Sequence, residues 1–263
     1  MRAWFRGLSG PRRRFLAVLA VLVLVLAGFA GVRLTGSGSA PGAITRARPG
    51  TVLLVPGYGG STGSLNVLAG ALRSAGRTVS ILTLPGDGTG DLLAQVGVLN
   101  SAVGSALAHG APSVDIVGYS AGGVVTRLFV ARDPQAVRRV VTLGAPLHGT
   151  QLAAAGAALL PGGCPVACQQ LAPNSALLRD IDARELPAGL PWLSLWTDND
   201  QTVVPPDSAR LTGAINVPVQ RVCPGVIVTH SGLPSNPVVD RIVLAALDSP
   251  TVSAPSAGDI LCG

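Results

Sequence analysis

The sequence has no lysine and little aromatic content. All 19 basic residues are arginines, and aromatics make up 3% of the 263 residues. A core must therefore be built mainly from Ala, Val and Leu. The 48% hydrophobic content is ample for one domain of this length. Acidic residues are missing from the first 33 positions, where Arg2, Arg6, Arg12, Arg13, Arg14 and Arg33 lie. With those six set aside, 13 basic side chains face 13 acidic ones. The net charge of +6 thus belongs to the N-terminus, and the body carries no excess with which to attract nucleic acid. No internal repeat and no second domain is evident.

The first 33 residues read as a leader. A basic stretch ending at Arg14 precedes an unbroken apolar run from Phe15 to Val32, which fits an export signal or an uncleaved anchor helix. Ala30 is a candidate cleavage point. Arg12-Arg13-Arg14-Phe15-Leu16 resembles the twin-arginine export motif, and an ordinary secretory signal fits equally well. Residues 34–50, rich in Gly, Ser and Pro, read as a flexible linker. Residues 51–263 are then the folded domain. Its four cysteines form an even set, expected to make two disulfides in an exported chain. Of three pairings, Cys164–Cys168 and Cys223–Cys262 are favoured. A metal site is the weaker rival, because no histidine lies near Cys164 and Cys168.

From Thr51 the pattern alternates. Strand-like runs fall at Thr51–Val55, Thr78–Leu84, Val114–Gly118, Arg139–Leu143, Trp192–Trp196 and, more weakly, Ile215–Val219. Helical spacing falls at Leu65–Ala75, Leu92–Ala108, Gly122–Ala131 and Pro237–Leu247. Continuous apolar strands separated by helices predict an α/β fold, a mostly parallel sheet covered on both faces. Ala145–Ser175 reads as the longest irregular segment, placed where a loop could cover a site.

Gly118-Tyr119-Ser120-Ala121-Gly122 fits a nucleophile elbow between a strand and a helix. The turn is crowded two residues either side of the serine, and glycine removes those side chains. Val52 to Gly60 is a strand running into a Gly-rich loop. That nominates the backbone N–H groups of Tyr58 and Ala121 as an oxyanion hole. The loop lacks the Lys-Ser/Thr ending of a P-loop and the dinucleotide-binding spacing.

The order nucleophile, acid, histidine makes His230 the base, in the loop before the last helix. His109 ends a helix, and His148 is read as lining the site. Asp200, in Asp200-Gln201-Thr202-Val203-Val204-Pro205, is favoured as the acid. Asp198 is read as a turn cap and Asp207 as a distant third. Asp87 and Asp91 are read as turn formers. Leu147, Leu152, Leu159 and Leu160 read equally as an acyl-binding wall or as core.

These motifs, with Leu84-Pro85-Gly86-Asp87-Gly88-Thr89-Gly90-Asp91, Thr142-Leu143-Gly144-Ala145-Pro146 and His230-Ser231-Gly232-Leu233, resemble the small secreted bacterial triacylglycerol lipases. These form the lipase class 2 group of the α/β-hydrolases, and the likeness is strongest to the actinobacterial forms. The resemblance implies a compact hydrolase fold without a large cap domain, with no metal or cofactor. It implies a lipase or esterase acting through Ser120, His230 and Asp200 on acyl esters, with contact to a membrane or lipid interface as a further expectation. Acyl transfer with the same triad, and a non-catalytic cell-surface protein on this scaffold, are the alternatives. Oligomeric state is left open. One departure is Pro56, where many such lipases have His before the loop glycine; it alters the hydrogen bonding of that loop.

Overall fold

Short, mainly apolar runs make the strands, and the four central ones are buried on both sides while the two edge strands are only partly covered. The strands are β1 (Thr51–Val55), β2 (Val79–Ile81), β3 (Val114–Tyr119), β4 (Val137–Leu143), β5 (Trp192–Trp196) and β6 (Ile215–Pro218). The computed structural model describes residues 44–159 and 162–249, with Leu19, Val21, Val23, Leu24, Gly258, Ile260 and Cys262. The chain divides into two units, Met1–Ala40 and Pro41–Gly263, and the second carries the sheet. The six strands run parallel in the order β2-β1-β3-β4-β5-β6. The mostly parallel sheet expected from the sequence is therefore present.

Helices α1 (Gly63–Ser74), α2 (Leu92–Ala108), α3 (Ala121–Val130) and α8 (Pro237–Asp248) cover the sheet. Alternate strand residues divide the core. Leu53, Val55, Ile116 and Val140 pack with α2 and α3 on one face. Val52, Leu54, Val117 and Val141 pack with α1 and α8 on the other. Each fully buried Val or Leu contributes roughly 1.5–3 kcal/mol, so the two faces together dominate stability.

The chain leaves β1 for β2 on one side and returns to β3 on the other. The loops after β1 and β3 therefore diverge and open a crevice at the carboxyl ends of these strands. The opposite end is closed by charge. Buried Asp115 on β3 accepts from Arg138 Nε at 2.8 Å and from Arg77 Nη2 at 2.7 Å. Arg138 also donates to Leu247 O and Arg139 to Ala246 O, which caps the last turn of α8 with positive charge.

Several expectations need correction. Ala145–Ser175 is not irregular: it holds α4 (Gln151–Leu159) and α5 (Val166–Gln170), and α6 (Ala176–Asp182) follows, with the single turn α7 (Val219–Val222) after β6. Alanine is the best helix former, and Gln-Leu-Ala-Ala-Ala-Gly-Ala-Ala-Leu folds accordingly. The edge strand β2 is shorter than its apolar run. Residues 44–50 are fastened to the body: Thr45 N donates to Pro112 O, and Ser113 Oγ donates to Arg48 O, both at 2.8 Å.

The cysteines pair as Cys164–Cys168 and Cys223–Cys262. Disulfides of this kind persist outside the reducing cytosol, and they point to an extracellular location. Within residues 1–33, Leu19, Val21, Val23 and Leu24 are helical and exposed; Arg12 to Arg14, Ala30 and residues 34–43 lie outside the described residues, as does Leu160. Among the described residues no helix is long and apolar enough to cross a membrane.

Candidate active site

Ser120 stands between β3 and α3, at the N-cap of the helix, with φ 51° and ψ −126°. A non-glycine residue at such angles stores roughly 1–3 kcal/mol of strain, and the surrounding packing must hold it. The elbow glycines explain how. A Cβ on Gly118 would lie 2.7 Å from Gly122 O, and one on Gly122 would lie 2.3 Å from Val55 O. Ser120 N donates to Leu143 O at 2.9 Å, which ties the elbow to the end of β4.

His230 lies in the loop between β6 and α8, with its Nε2 3.0 Å from Ser120 Oγ and its Nδ1 2.7 Å from Asp200 Oδ2. An ionised carboxylate only accepts, so Nδ1 carries the proton and Nε2 accepts from the serine hydroxyl. The other Asp200 oxygen, Oδ1, accepts from Thr202 N at 2.9 Å and Val203 N at 2.8 Å. All three side chains are buried.

The loop after β1 lies against this group. A Cβ on Gly57 would come 2.9 Å from Ser120 Cβ. Gly59 N and Gly60 N donate to Gly88 O and Gly57 O. The Tyr58 and Ala121 N–H groups have no acceptor among the described residues. Burial, reinforced by the Asp87 charge, raises the Tyr58 hydroxyl pKa.

The other candidates stand elsewhere. Asp198 is exposed and accepts from Trp196 Nε1, so it does not cap the turn through its side chain in the way expected. Asp207 is exposed in a short 3-10 turn. Asp87 closes its own turn by accepting from Thr89 N and Oγ1, and these bonds hold its carboxyl below the usual carboxylate range. Asp91 caps the N-terminus of α2 through Leu93 N. His109 ends α2 with Nδ1 2.7 Å from Ser105 O.

His148 follows β4 in the loop after Gly144. Its ring turns to Asp182 at 3.1 Å and lines a cavity with Arg127, Leu190 and Trp192, which reaches the start of β5 at the far end of the sheet. The leucines divide too: Leu147 is core, whereas Leu152 and Leu159 are exposed on α4.

Two residues at the site carry roles that the sequence reading did not assign. Tyr119 packs on His230, and its hydroxyl donates to His230 O at 3.3 Å. Gly144 has φ 54°, and a Cβ there would meet Leu233 Cδ1 at 2.7 Å, His230 Nδ1 at 3.2 Å and Asp200 Oδ2 at 3.3 Å. Gly144 is thus the floor on which the acid–histidine pair rests. Its signal was a glycine immediately after a buried strand. Among the described residues no group of three His, Cys, Asp or Glu is arranged to hold a metal ion.

With this geometry in view, the chain can be compared with known proteins. Residues 103–222 match the family model for lipase (class 2). That span contains Ser120 and the Asp200 loop but ends before His230. A triacylglycerol lipase from Burkholderia plantarii is 34% identical over 149 residues, which are 51% of this chain and 40% of that protein. The chain thus matches about two fifths of its curated relative's length. Among solved structures, Aspergillus fumigatus lipase B superposes with a TM-score of 0.61 at 21% identity, over 80% of this chain and 55% of that one. A mature Bacillus licheniformis lipase gives 0.59 at 18% identity, over 80% and 96%. The fold is that of the α/β-hydrolase lipases. The resemblance to lipase class 2 proteins read from the motifs agrees with these matches.

Proposed function

We propose that this protein hydrolyses carboxylic esters, lipids above all, through Ser120, His230 and Asp200. The reading is carried by one observation: a single imidazole stands 3.0 Å from a strained serine hydroxyl and 2.7 Å from a buried carboxylate. His230 Nε2 takes the Ser120 proton as Oγ bonds to the ester carbonyl carbon. Asp200 holds the imidazole tautomer and stabilises its charged form. The Tyr58 and Ala121 N–H groups donate to the developing oxyanion. The C–O bond to the alcohol then breaks, and Nε2 returns the proton to the leaving oxygen. Water, deprotonated by His230, attacks the acyl-enzyme and releases the acid and free Ser120.

The apolar exterior near the site supports a lipid substrate. From Gln151 to Leu178 no side chain is charged, and Leu152, Leu159 and Val166 are exposed there. An exposed helix this apolar suits contact with a lipid or membrane surface. The basic, apolar leader and the two disulfides suit a secreted protein.

The test is a p-nitrophenyl ester series of increasing chain length on wild type and Ser120→Ala, with fluorophosphonate labelling. Turnover that extends to long chains and vanishes in Ser120→Ala is expected. A steep fall beyond butyrate would leave an esterase and overturn the lipase reading. Product formed mainly on an added alcohol would indicate acyl transfer instead. Folded wild type that neither labels nor turns over would reduce the chain to a scaffold.

A further inference from the structure

Thr150 stands between α4 and the loop that holds Asp200. It is buried, and its hydroxyl donates to Thr202 O at 2.8 Å while accepting from Val204 N at 3.0 Å. The next residue repeats the attachment, since Gln151 N donates to Val204 O at 2.8 Å. Behind it, Thr150 N donates to Leu171 O at 3.0 Å, just past α5.

The same loop residue faces both ways. Thr202 N donates to Asp200 Oδ1, and Thr202 O accepts from Thr150. Val203, whose N–H is the second donor to Asp200, is buried between Thr202 and Val204, the two residues that Thr150 grips. The carboxylate is therefore oriented by two N–H groups, and those groups sit on a stretch fixed at both ends by one hydroxyl. Remove that hydroxyl, and Thr202 O and Val204 N lose their side-chain partner at a partly buried site, which favours a shifted loop.

We propose that Thr150 is a positioning residue for Asp200 and, through it, for the His230 imidazole. The proposal rests on the triad reading given above. Thr150 touches neither substrate nor reacting atoms; it sets the angle and distance at which Asp200 meets Nδ1. A carboxylate set even a fraction of an ångström off stabilises the imidazolium less, so turnover falls while ground-state binding does not.

The experiment compares wild type, Thr150→Val, Thr150→Ser and Asp200→Asn on a soluble short-chain ester. Thr150→Val keeps the shape and removes the hydroxyl. It should lower kcat roughly tenfold with KM within about twofold. The acid limb of its kcat/KM profile should move to lower pH, because a less well placed carboxylate no longer holds the imidazolium proton as firmly. Thr150→Ser should restore both. A purely structural role would lower Tm but leave kcat per folded molecule and the pH profile unchanged, and that result overturns the proposal. So does a Thr150→Ser variant as impaired as Thr150→Val. If Thr150→Val does not fold, Thr150→Ala is read by the downfield NMR resonance of the His230 Nδ1 proton, expected to move upfield; an unmoved resonance counts against the proposal. Undiminished kcat in Asp200→Asn would instead sink the triad reading itself, and so separates the two failures.

Discussion

The Tyr119 and His230 rings stand 5.3 Å apart, centroid to centroid, at 34°, and the tyrosine hydroxyl reaches back to the His230 carbonyl at 3.3 Å. The residue before the nucleophile thus braces the base from below. Tyr119→Phe removes one long hydrogen bond, worth about 1 kcal/mol, and kcat on a soluble ester should fall about fivefold. Tyr119→Ala removes the ring as well and should fall further. Burial first, and the Asp200 charge second, push the Tyr119 hydroxyl up to about 12. The chain has only two tyrosines. Absorbance at 295 nm should therefore show two separate phenol steps, both displaced upward, with Tyr119 ionising last.

Gly144 tolerates no side chain. Its φ of 54° disfavours an L residue, and an added methyl would press on Leu233, His230 and Asp200 together. Gly144→Ala should lower kcat about a hundredfold, by displacing the acid–histidine pair, while far-UV circular dichroism stays native. Full turnover in that variant would show that the pair has more room than its spacing implies.

Asp240 is buried in the first turn of α8, with Oδ1 lacking a partner among the described residues. Burial raises its pKa to about 6, against the pull of Arg241. In the unfolded chain the group titrates near pH 4, so between about pH 4 and 6 the native state binds more protons. Its presence therefore costs stability as pH rises through that window, and the cost is constant above it. Asp240→Asn should be more stable than wild type by roughly 1–3 kcal/mol at pH 7–8. Its Tm advantage should shrink to nothing near pH 3, and an advantage independent of pH would refute this account.

The two disulfides should differ in weight. Cys223–Cys262 closes 39 residues of sequence and Cys164–Cys168 only 4. The chain-entropy view gives about 4 kcal/mol for the first and about 2 kcal/mol for the second. Urea midpoints of the two double serine variants should fall in that order; equal losses would contradict it.

The residues themselves determined much of this protein. The alternation of apolar runs named the parallel sheet, because strands buried on both faces leave no polar face to show. Gly118 and Gly122 marked the elbow, because a turn that tight excludes side chains from both positions. Chain order then singled out His230. Other features were settled only by folding. Helix α4 hid in a stretch whose flanking Gly, Pro and Cys suggested a loop, although alanine favours a helix. Asp200 and Asp198 have the same chemistry two positions apart, and the apolar residues after Asp200 favour it without showing where either carboxylate points. What separates them is the path of the loop, which turns one carboxylate onto an imidazole and leaves the other in solvent beside Trp196. His148 follows a strand at the right end of the sheet, yet its partner, Asp182, comes from a helix 34 residues away in sequence. Gly144 and Thr150 acquire their importance from side chains and backbone brought over from Asp200 to Val204 and from His230. Local sequence fixes backbone geometry; which distant groups then meet is decided by packing across the sheet.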